Sequence, residues 1–139
     1  IGFDLLVNGL GCRQTEAQWS FDYLYDHSQR QEVTGGTVTT MGRVIDGAVL
    51  VAAKLHSGRE TDLRDVLAVT EEIDLEAVTP HLRRGDEDSL REQLERGREI
   101  LESEELKHGY RSDFGVSAVS TETVTALREY LSAQIDELG

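Results

Sequence analysis

Residues 46–72 read "DGAVLVAAKLHSGRETDLRDVLAVTEE" and form the most regularly patterned stretch of the chain. The apolar spacing over 46–58 predicts a helix, with Asp46 as its N-cap and Gly58 as the residue that ends it. The apolar positions of 61–72 predict a second helix after a short glycine-containing turn. The stretch is therefore expected to form two consecutive helices joined by a tight turn.

Four charged residues cluster around this turn, and we call them the charged corner. Lys54 lies near the end of the first helix and Arg59 lies in the turn, whereas Asp62 and Asp65 share one face of the second helix. A lysine is a flexible point charge suited to a phosphate, and an arginine forks onto carboxylate or phosphate. A nearby carboxylate can orient the lysine, hold a metal or accept a proton. The corner is therefore a candidate phosphate site.

The same residues also fit a purely structural interpretation. Asp62 in a first helical turn is favoured by the helix dipole, and Ser57 with Glu60 matches a capping box. Asp65 can pair with Arg59 on a solvated surface. Taken without further context, the chemistry of these residues favours a capped helix start over a binding site.

The residues before this stretch contain the strand-forming segments. The patterns predict a partly buried strand at 1–7 and a glycine-rich loop at 8–15 ("NGLGCRQT"). They predict a short helix at 16–29, although the aromatic residues of this segment would also suit a strand. Gly35 and Gly36 separate two β-branched runs, which predicts a β-hairpin at about 31–41. Strand 2–7 and this hairpin are expected to form one small β-sheet.

The residues after it are dominated by helical patterns. They predict a short helix at 74–85 with Pro80 near its first turn, a long charged helix at 86–109, an irregular segment at 110–120 and a terminal helix at 121–139. We therefore expect an α+β fold, in which helices pack on a small β-sheet and the C-terminal half is mostly helical.

The chain of 139 residues is strongly acidic, with 27 acidic against 14 basic residues and a formal net charge of −13. Only Lys54 and Lys107 are lysines. Carboxylates hold water and ions, and their mutual repulsion is screened in concentrated salt, where the Debye length falls to about 3 Å at 1 M. The composition therefore predicts a halophilic protein, with an ordinary acidic protein as the alternative. The charge argues against nucleic acid as a partner of the bare surface.

The remaining composition indicates a cytoplasmic protein without a membrane partner. Cys12 is the single cysteine, which excludes a disulfide framework and is typical of a reducing compartment. No apolar run reaches about 18 residues, and no signal-peptide pattern opens the chain. His27, His56, His81 and His108 lie far apart in the sequence and lack metal-ligand spacing.

Residues 48–69 ("AVLVAAKLHSGRETDLRDVLAV") resemble the paired late motifs of nucleotidyltransferase-fold proteins from toxin–antitoxin and abortive-infection systems. In that family, a Lys on an apolar helix is followed by Arg, one intervening residue, a basic residue and Asp, and a second Asp three residues later. The four residues of the charged corner occupy these places, whereas Thr61 stands where the family often has Lys. The upstream order of an acid-bearing strand, a short helix and a glycine hairpin also agrees.

The resemblance implies a role for each matched residue. Lys54 would contact a phosphate, and Asp62 would orient Lys54 or act as a base, which makes these two the catalytic candidates. Arg59 would brace the corner and Asp65 would pair with it, so that both join Lys54 in binding the substrate. Asp4 stands where the family has the third of its metal-binding carboxylates.

The chain departs from the family at the most specific motif. The first two metal carboxylates belong to an early Gly-Ser and Asp-x-Asp motif, which the chain lacks. A two-metal transfer site is incomplete without them, so Mg²⁺ is implied only together with the missing motif. Either a catalytic part precedes Ile1 or the protein is a non-catalytic relative. The resemblance covers residues 1–72, and the helical region 73–139, expected to pack on the same domain, matches no motif.

Two functions follow as expectations. The first is the C-terminal part of a nucleotidyltransferase-like protein, which contributes to binding a nucleoside triphosphate and is not catalytic by itself. The second is a non-catalytic interaction or dimerisation domain, because residues 124–135 carry an apolar line at helical spacing. A homo-oligomer is compatible with both.

Overall fold

A computed structural model of the chain describes residues 3–6, 9–103 and 120–139. Its first three strands form an antiparallel sheet in chain order: β1 (Phe3–Leu6), β2 (Gly9–Cys12) and β3 (Ala17–Ser20). The short helix α1 (Phe21–Asp26) leads into a second, two-stranded antiparallel sheet made of β4 (Ser28–Gly35) and β5 (Val38–Ile45).

Helices make up the rest of the described chain. They are α2 (Gly47–Ser57), α3 (Glu60–Thr70), a 3₁₀ turn (Leu75–Ala77), α4 (Thr79–Leu82), α5 (Glu87–Leu101) and α6 (Thr121–Leu138). The expected α+β class and the mostly helical C-terminal half are therefore confirmed. The predicted end of the long helix near Gly109 and most of the segment 110–120, together with Lys107 and His108, lie outside the described residues.

Three expectations about the N-terminal part were wrong. The predicted loop at 8–15 contains β2, and the predicted helix at 16–29 begins with β3 before it turns into α1. Ala17 and Trp19 are buried while Gln18 and Ser20 are exposed, which is the two-residue period of a strand. In the described part, the hairpin pairs with itself rather than with β1, so there are two small sheets instead of one.

Burial of Trp19 explains why this segment is a strand. The indole is fully buried and donates its Nε1–H to the carbonyl of His81, 3.0 Å away. Its backbone also passes so close to β2 that a Cβ on Gly9 would lie 2.1 Å from the Trp19 carbonyl oxygen. A local helix over 16–20 would not deliver the ring to this site.

The turn between β2 and β3 fastens the three-stranded sheet to the helices. The carbonyl of Thr15 accepts from the backbone N–H of Asp86, 2.7 Å away, at the start of α5. Gly85 has a φ of 76°, and a Cβ there would lie 2.2 Å from the Thr15 oxygen. Only glycine fits this approach, because both the backbone conformation and the space exclude a side chain.

The helices surround one apolar core. Leu63, Leu94 and Leu127 are among its fully buried members. Gly97 in the middle of α5 lies 3.7 Å from Leu63 and 3.8 Å from Leu131, measured from an ideal Cβ, so the interior glycine lets three helices approach closely.

This core also absorbs the apolar line of the terminal helix. Leu127, Leu131 and Ile135 are all buried in it. The line at 124–135 therefore packs inside the molecule and is not the docking surface that the second functional expectation required.

The helix boundaries within residues 46–72 follow the prediction closely. Asp46 is the N-cap of α2, and Gly58 ends the helix with a left-handed φ of 65°. The expected capping box is wrong, because Arg59 is the N-cap of α3 and the Ser57 hydroxyl donates to Asp62 instead. Pro80 lies in the first turn of α4, where its missing N–H costs nothing.

Candidate functional site

The charged corner forms where α2 ends and α3 begins. The apolar sides of both helices are buried in the common core, which leaves their polar edges to meet. The left-handed Gly58 makes the reversal, and a Cβ there would lie 2.7 Å from the side-chain oxygen of Gln93. This reversal brings Lys54 at the end of α2 next to Asp62 and Asp65 in the first turns of α3.

Asp62 is the buried centre of the corner, with a side chain only 3% exposed. Its Oδ2 accepts from the Ser57 hydroxyl at 2.5 Å and from Arg59 Nε at 3.0 Å. Its Oδ1 accepts from Lys54 Nζ at 3.3 Å. Three donors thus converge on one carboxylate, which offsets the cost of burying its charge.

Lys54 connects this buried carboxylate to the surface. Its ammonium lies between Asp62 and Asp65, with a distance of 2.8 Å from Nζ to Asp65 Oδ2. The Lys54 side chain is 27% exposed, against 44% for Asp65 and 46% for Arg59. Asp62 at the inner end of the corner is therefore shielded from solvent. Lys54, Asp65 and Arg59 form an outer rim that solvent can reach.

The expected pairing of Asp65 with Arg59 is replaced by two other pairs. Arg59 is the N-cap of α3, and its side chain reaches Asp62 in the first turn of the same helix. Asp65 lies one turn further along and binds Lys54 across the helix pair. The structure does bring all four predicted residues together, but with different partners.

The network shifts both central pKa values toward the charged forms. Burial alone would raise the pKa of Asp62, but the hydrogen bonds from Ser57 and Arg59 and the charges of Lys54 and Arg59 outweigh it, so the pKa lies below the usual range. Burial lowers the pKa of Lys54, yet the hydrogen bond and charge of Asp65, together with Asp62, raise it overall. Asp62 is consequently better suited to orienting Lys54 than to accepting a proton.

The rim still offers donors to a ligand. An ammonium has three N–H groups, and two of those on Lys54 are accounted for. Arg59 engages its Nε, and among the described residues its two outer nitrogens have no hydrogen-bond partner. This fork and the remaining Lys54 donor are positioned by the same buried carboxylate.

The metal site that the family resemblance implies would combine Asp4 with carboxylates of a motif that the chain lacks. No three His, Cys, Asp or Glu side chains of the described part are grouped so that they could hold an ion. Asp62 and Asp65 are both engaged by cations. Asp4 lies in β1 opposite Gly11, and its side chain falls outside what the structure describes.

Sequence reasoning missed a buried histidine directly behind the corner. His56 is fully buried, with Nε2 2.6 Å from the Leu82 carbonyl and Nδ1 2.6 Å from the Thr15 hydroxyl. A carbonyl only accepts, so Nε2 carries the proton and Nδ1 accepts from Thr15. Burial lowers the pKa of His56 to about 4, which keeps it neutral at pH 7. The neutral ring anchors the end of α2 next to Ser57.

Three rings and a guanidinium, those of Tyr23, His27, His81 and Arg84, form a cluster that joins α1 to α4. The rings of His27 and His81 are 4.7 Å apart between centroids, the Tyr23 hydroxyl contacts His81 Nδ1, and Arg84 stacks 4.0 Å above the Tyr23 ring. Burial, followed by the charges of His27 and Arg84, lowers the pKa of His81. No signal in the sequence predicted this contact, because its members are up to 61 residues apart along the chain.

A surface groove of about 460 Å³ lies elsewhere, between the end of α3, the 3₁₀ turn and α6. Asp74, Glu76 and Glu129 are among its lining residues. An acidic lining repels a phosphate, so the charged corner remains the better candidate for an anionic ligand.

Comparison with protein-family models, curated proteins and solved structures finds no match to the chain. The assignment of a function therefore depends on the geometry of the corner and on the resemblance in residues 1–72. None of the helices in the described residues has the length and apolar character needed to cross a membrane.

Proposed function

We propose that the charged corner binds the phosphates of a nucleotide, and that the chain is the C-terminal part of a nucleotidyltransferase-like protein that is not catalytic by itself. One observation supports this above all others. A buried carboxylate, Asp62, fixes Lys54 and Arg59 side by side while both keep donors at the surface.

The corner would be preorganised for such a ligand. Ordering a long side chain on binding costs about 0.5–1.5 kcal/mol, and Asp62 already restrains Lys54 and Arg59 before a ligand arrives. The guanidinium fork suits two phosphate oxygens, and the ammonium suits a third.

Asp65 would exchange with the ligand. It is half exposed and binds only the outer side of Lys54, so its carboxylate can swing away when a phosphate oxygen takes its place. Asp62 cannot do this, because it is buried and held by three donors. The two aspartates therefore have different roles, with Asp62 positioning the cations and Asp65 competing with the phosphate.

Isothermal titration of the chain with ATP and with GTP, at low and at high KCl, tests the proposal. A hydrogen bond to a charged group contributes about 1.5–3 kcal/mol, and the exposure of Arg59 places it at the lower end. Arg59→Ala is therefore expected to weaken binding about tenfold. Arg91 is a matched control, because it is similarly exposed and pairs with Glu95 on α5.

Two results would overturn the proposal. One is the absence of nucleotide binding by the unmodified chain under both salt conditions. The other is an equal loss of affinity in Arg59→Ala and Arg91→Ala, which would mean that total charge rather than the corner attracts the ligand.

A further inference from the structure

The base of the hairpin β4–β5 lies where α1 ends and α2 begins. The backbone N–H of Asp46, directly after β5, donates to the carbonyl of His27, directly before β4, at 2.8 Å. Nearly all side chains of the two strands are exposed, and Arg43 of β5 stacks 3.8 Å above the ring of Tyr25 in α1. The contacts of His27 therefore affect how the base of the hairpin is held.

His27 belongs to the cluster of Tyr23, His27, His81 and Arg84, which we call the histidine cluster. The His27 ring meets the His81 ring edge to face, with 4.7 Å between the centroids, and lies 4.4 Å from the Tyr23 ring. His81 is part of α4, and its carbonyl accepts from the buried indole of Trp19. The cluster thus joins the base of the hairpin to an element that is anchored in the body.

Arg84 gives the cluster a permanent positive charge. Its guanidinium lies 4.0 Å from the centroid of the Tyr23 ring, and one outer nitrogen donates to the carbonyl of Gln18 at 3.4 Å. Among the described residues no carboxylate pairs with Arg84, and its buried Nε has no hydrogen-bond partner. The two imidazoles can each add a second and a third positive charge in mild acid, where histidine side chains take up protons.

The surroundings of His81 oppose its protonation. The side chains that act on its ring are Tyr23 and His27 from α1, Arg84 after α4 and Asp46 at the start of α2. Burial lowers the pKa of His81 first, and the charges of His27 and Arg84 lower it further, whereas the Asp46 carboxylate raises it. A proton therefore binds His81 more tightly when the ring has left these neighbours, so acid favours a separated cluster.

We infer that the histidine cluster is a pH-sensitive clamp, which holds the base of the hairpin against α4 while its imidazoles are neutral and releases the base when they are protonated. The release is local, because Tyr23 and Leu24 also pack against the small apolar cluster that contains Trp19. The hairpin would therefore move about its base while the helical core keeps its structure. The charged corner takes no part in the clamp, so this inference does not depend on the proposed function.

Distances between spin labels, measured by double electron–electron resonance at about pH 7.5 and about pH 5 and at constant KCl, test the clamp. Thr40→Cys labels the hairpin and Glu92→Cys labels α5, both at exposed positions, whereas Cys12 is buried. The distance distribution between these labels should broaden at least about twofold at the lower pH. The pair Glu92→Cys and Asp136→Cys lies within the helical body and should give the same distribution at both pH values.

The same labels in a chain with His27→Gln and His81→Gln identify the groups that take up the proton. Glutamine does not titrate, so the width of the distribution should be the same at both pH values. The buried His56 is retained in this chain, which separates its titration from that of the clamp. Two results would overturn the inference: a distribution that does not change with pH in the chain with both histidines, or an equal change in the glutamine chain.

Histidine resonances in NMR spectra provide a second readout, which a purely structural role of the rings would not move. His27→Gln removes a neighbouring positive charge and should raise the pKa of His81. Asp46→Asn removes the opposing negative charge and should lower the pKa of the same ring. If neither variant shifts the titration of His81, the groups of the cluster are not coupled and the clamp is excluded.

Discussion

Replacing Asp62 by Asn provides the most direct test of the charged corner as a structural unit. The substitution keeps the shape of the side chain but removes the charge that Ser57, Arg59 and Lys54 share. An amide offers one acceptor oxygen instead of two, and its NH₂ group would face a donor. At least one donor therefore loses its partner.

The magnitude follows from the exposure of each donor. Removing one partner of a fully buried ion pair costs about 3–5 kcal/mol. Lys54 and Arg59 reach solvent and can rehydrate, so their share is smaller, whereas the buried Ser57 hydroxyl cannot. We expect a loss of about 2–3 kcal/mol in the free energy of unfolding.

This loss is large enough to measure in a thermal melt. At about 2.1 cal/mol/K per residue, the unfolding entropy of 139 residues is near 0.3 kcal/mol/K. The melting temperature of Asp62→Asn should therefore fall by roughly 7–10 °C. Urea unfolding followed by circular dichroism at constant KCl gives the free energy directly.

Asp65→Asn is the matched control for stability, because it removes the same charge from the exposed side of Lys54. An exposed pair contributes about 0–1 kcal/mol, so this variant should remain near the unmodified chain. The reasoning fails if both variants lose the same stability, since Asp62 would then not be the buried centre of the corner.

The pH dependence of the same comparison checks the cause. The folded-state pKa of Asp62 lies below its unfolded value of 3.8, so its contribution is present above pH 3.8 and is lost as the pH falls through the folded pKa. The stability difference between the unmodified chain and Asp62→Asn should therefore shrink below about pH 4. A difference that stays constant into strong acid would show that the charge is not responsible.

Three further predictions test other parts of the fold and site. The pKa of His56 is lowered from 6.5 to about 4, so the unfolded chain binds more protons than the folded chain between these pH values. The free energy of unfolding should therefore fall by about 3 kcal/mol from pH 6.5 to 4. In urea unfolding, the free energy of His56→Gln should depend less on pH than that of the unmodified chain. Gly97→Ala should raise the stability to urea by up to about 1 kcal/mol, because its Cβ fits at ordinary contact distance in a helix, whereas Gly85→Ala should lower it strongly through collision with Thr15. Asp65→Asn should tighten ATP binding a few-fold in calorimetry, since it removes a competing carboxylate, and weaker binding would contradict the exchange role.

Residues 46–72 show how much of the structure is determined by local sequence. Asp46, Gly58 and the apolar spacing between them specify α2, because a helix begins and ends through interactions within about four residues. The same local rules placed Lys54, Asp62 and Asp65 at one corner, because the last two are one helical turn apart after a short turn.

The wrong predictions concern features that the local sequence does not determine by itself. Residues 16–20 suit a helix or a strand equally well in isolation, and the burial of Trp19 against His81 decided for the strand. The expected single sheet failed because sheet membership depends on which edges meet in space, and alternation along one strand does not report its neighbours.

The sequence by itself determined the fold class, the helix pair and the membership of the charged corner. Tertiary structure determined which charged and polar side chains pair with each other. Arg59 binds Asp62 and not Asp65 because the core buries Asp62 within its reach, and Thr15 meets His56 across 41 residues. It also decided that the apolar line of α6 is buried in the core, whereas Val33, Val38 and Val44 of the hairpin stay exposed. The physical reason is that capping and periodicity act over a few residues, whereas burial depends on packing of the whole chain.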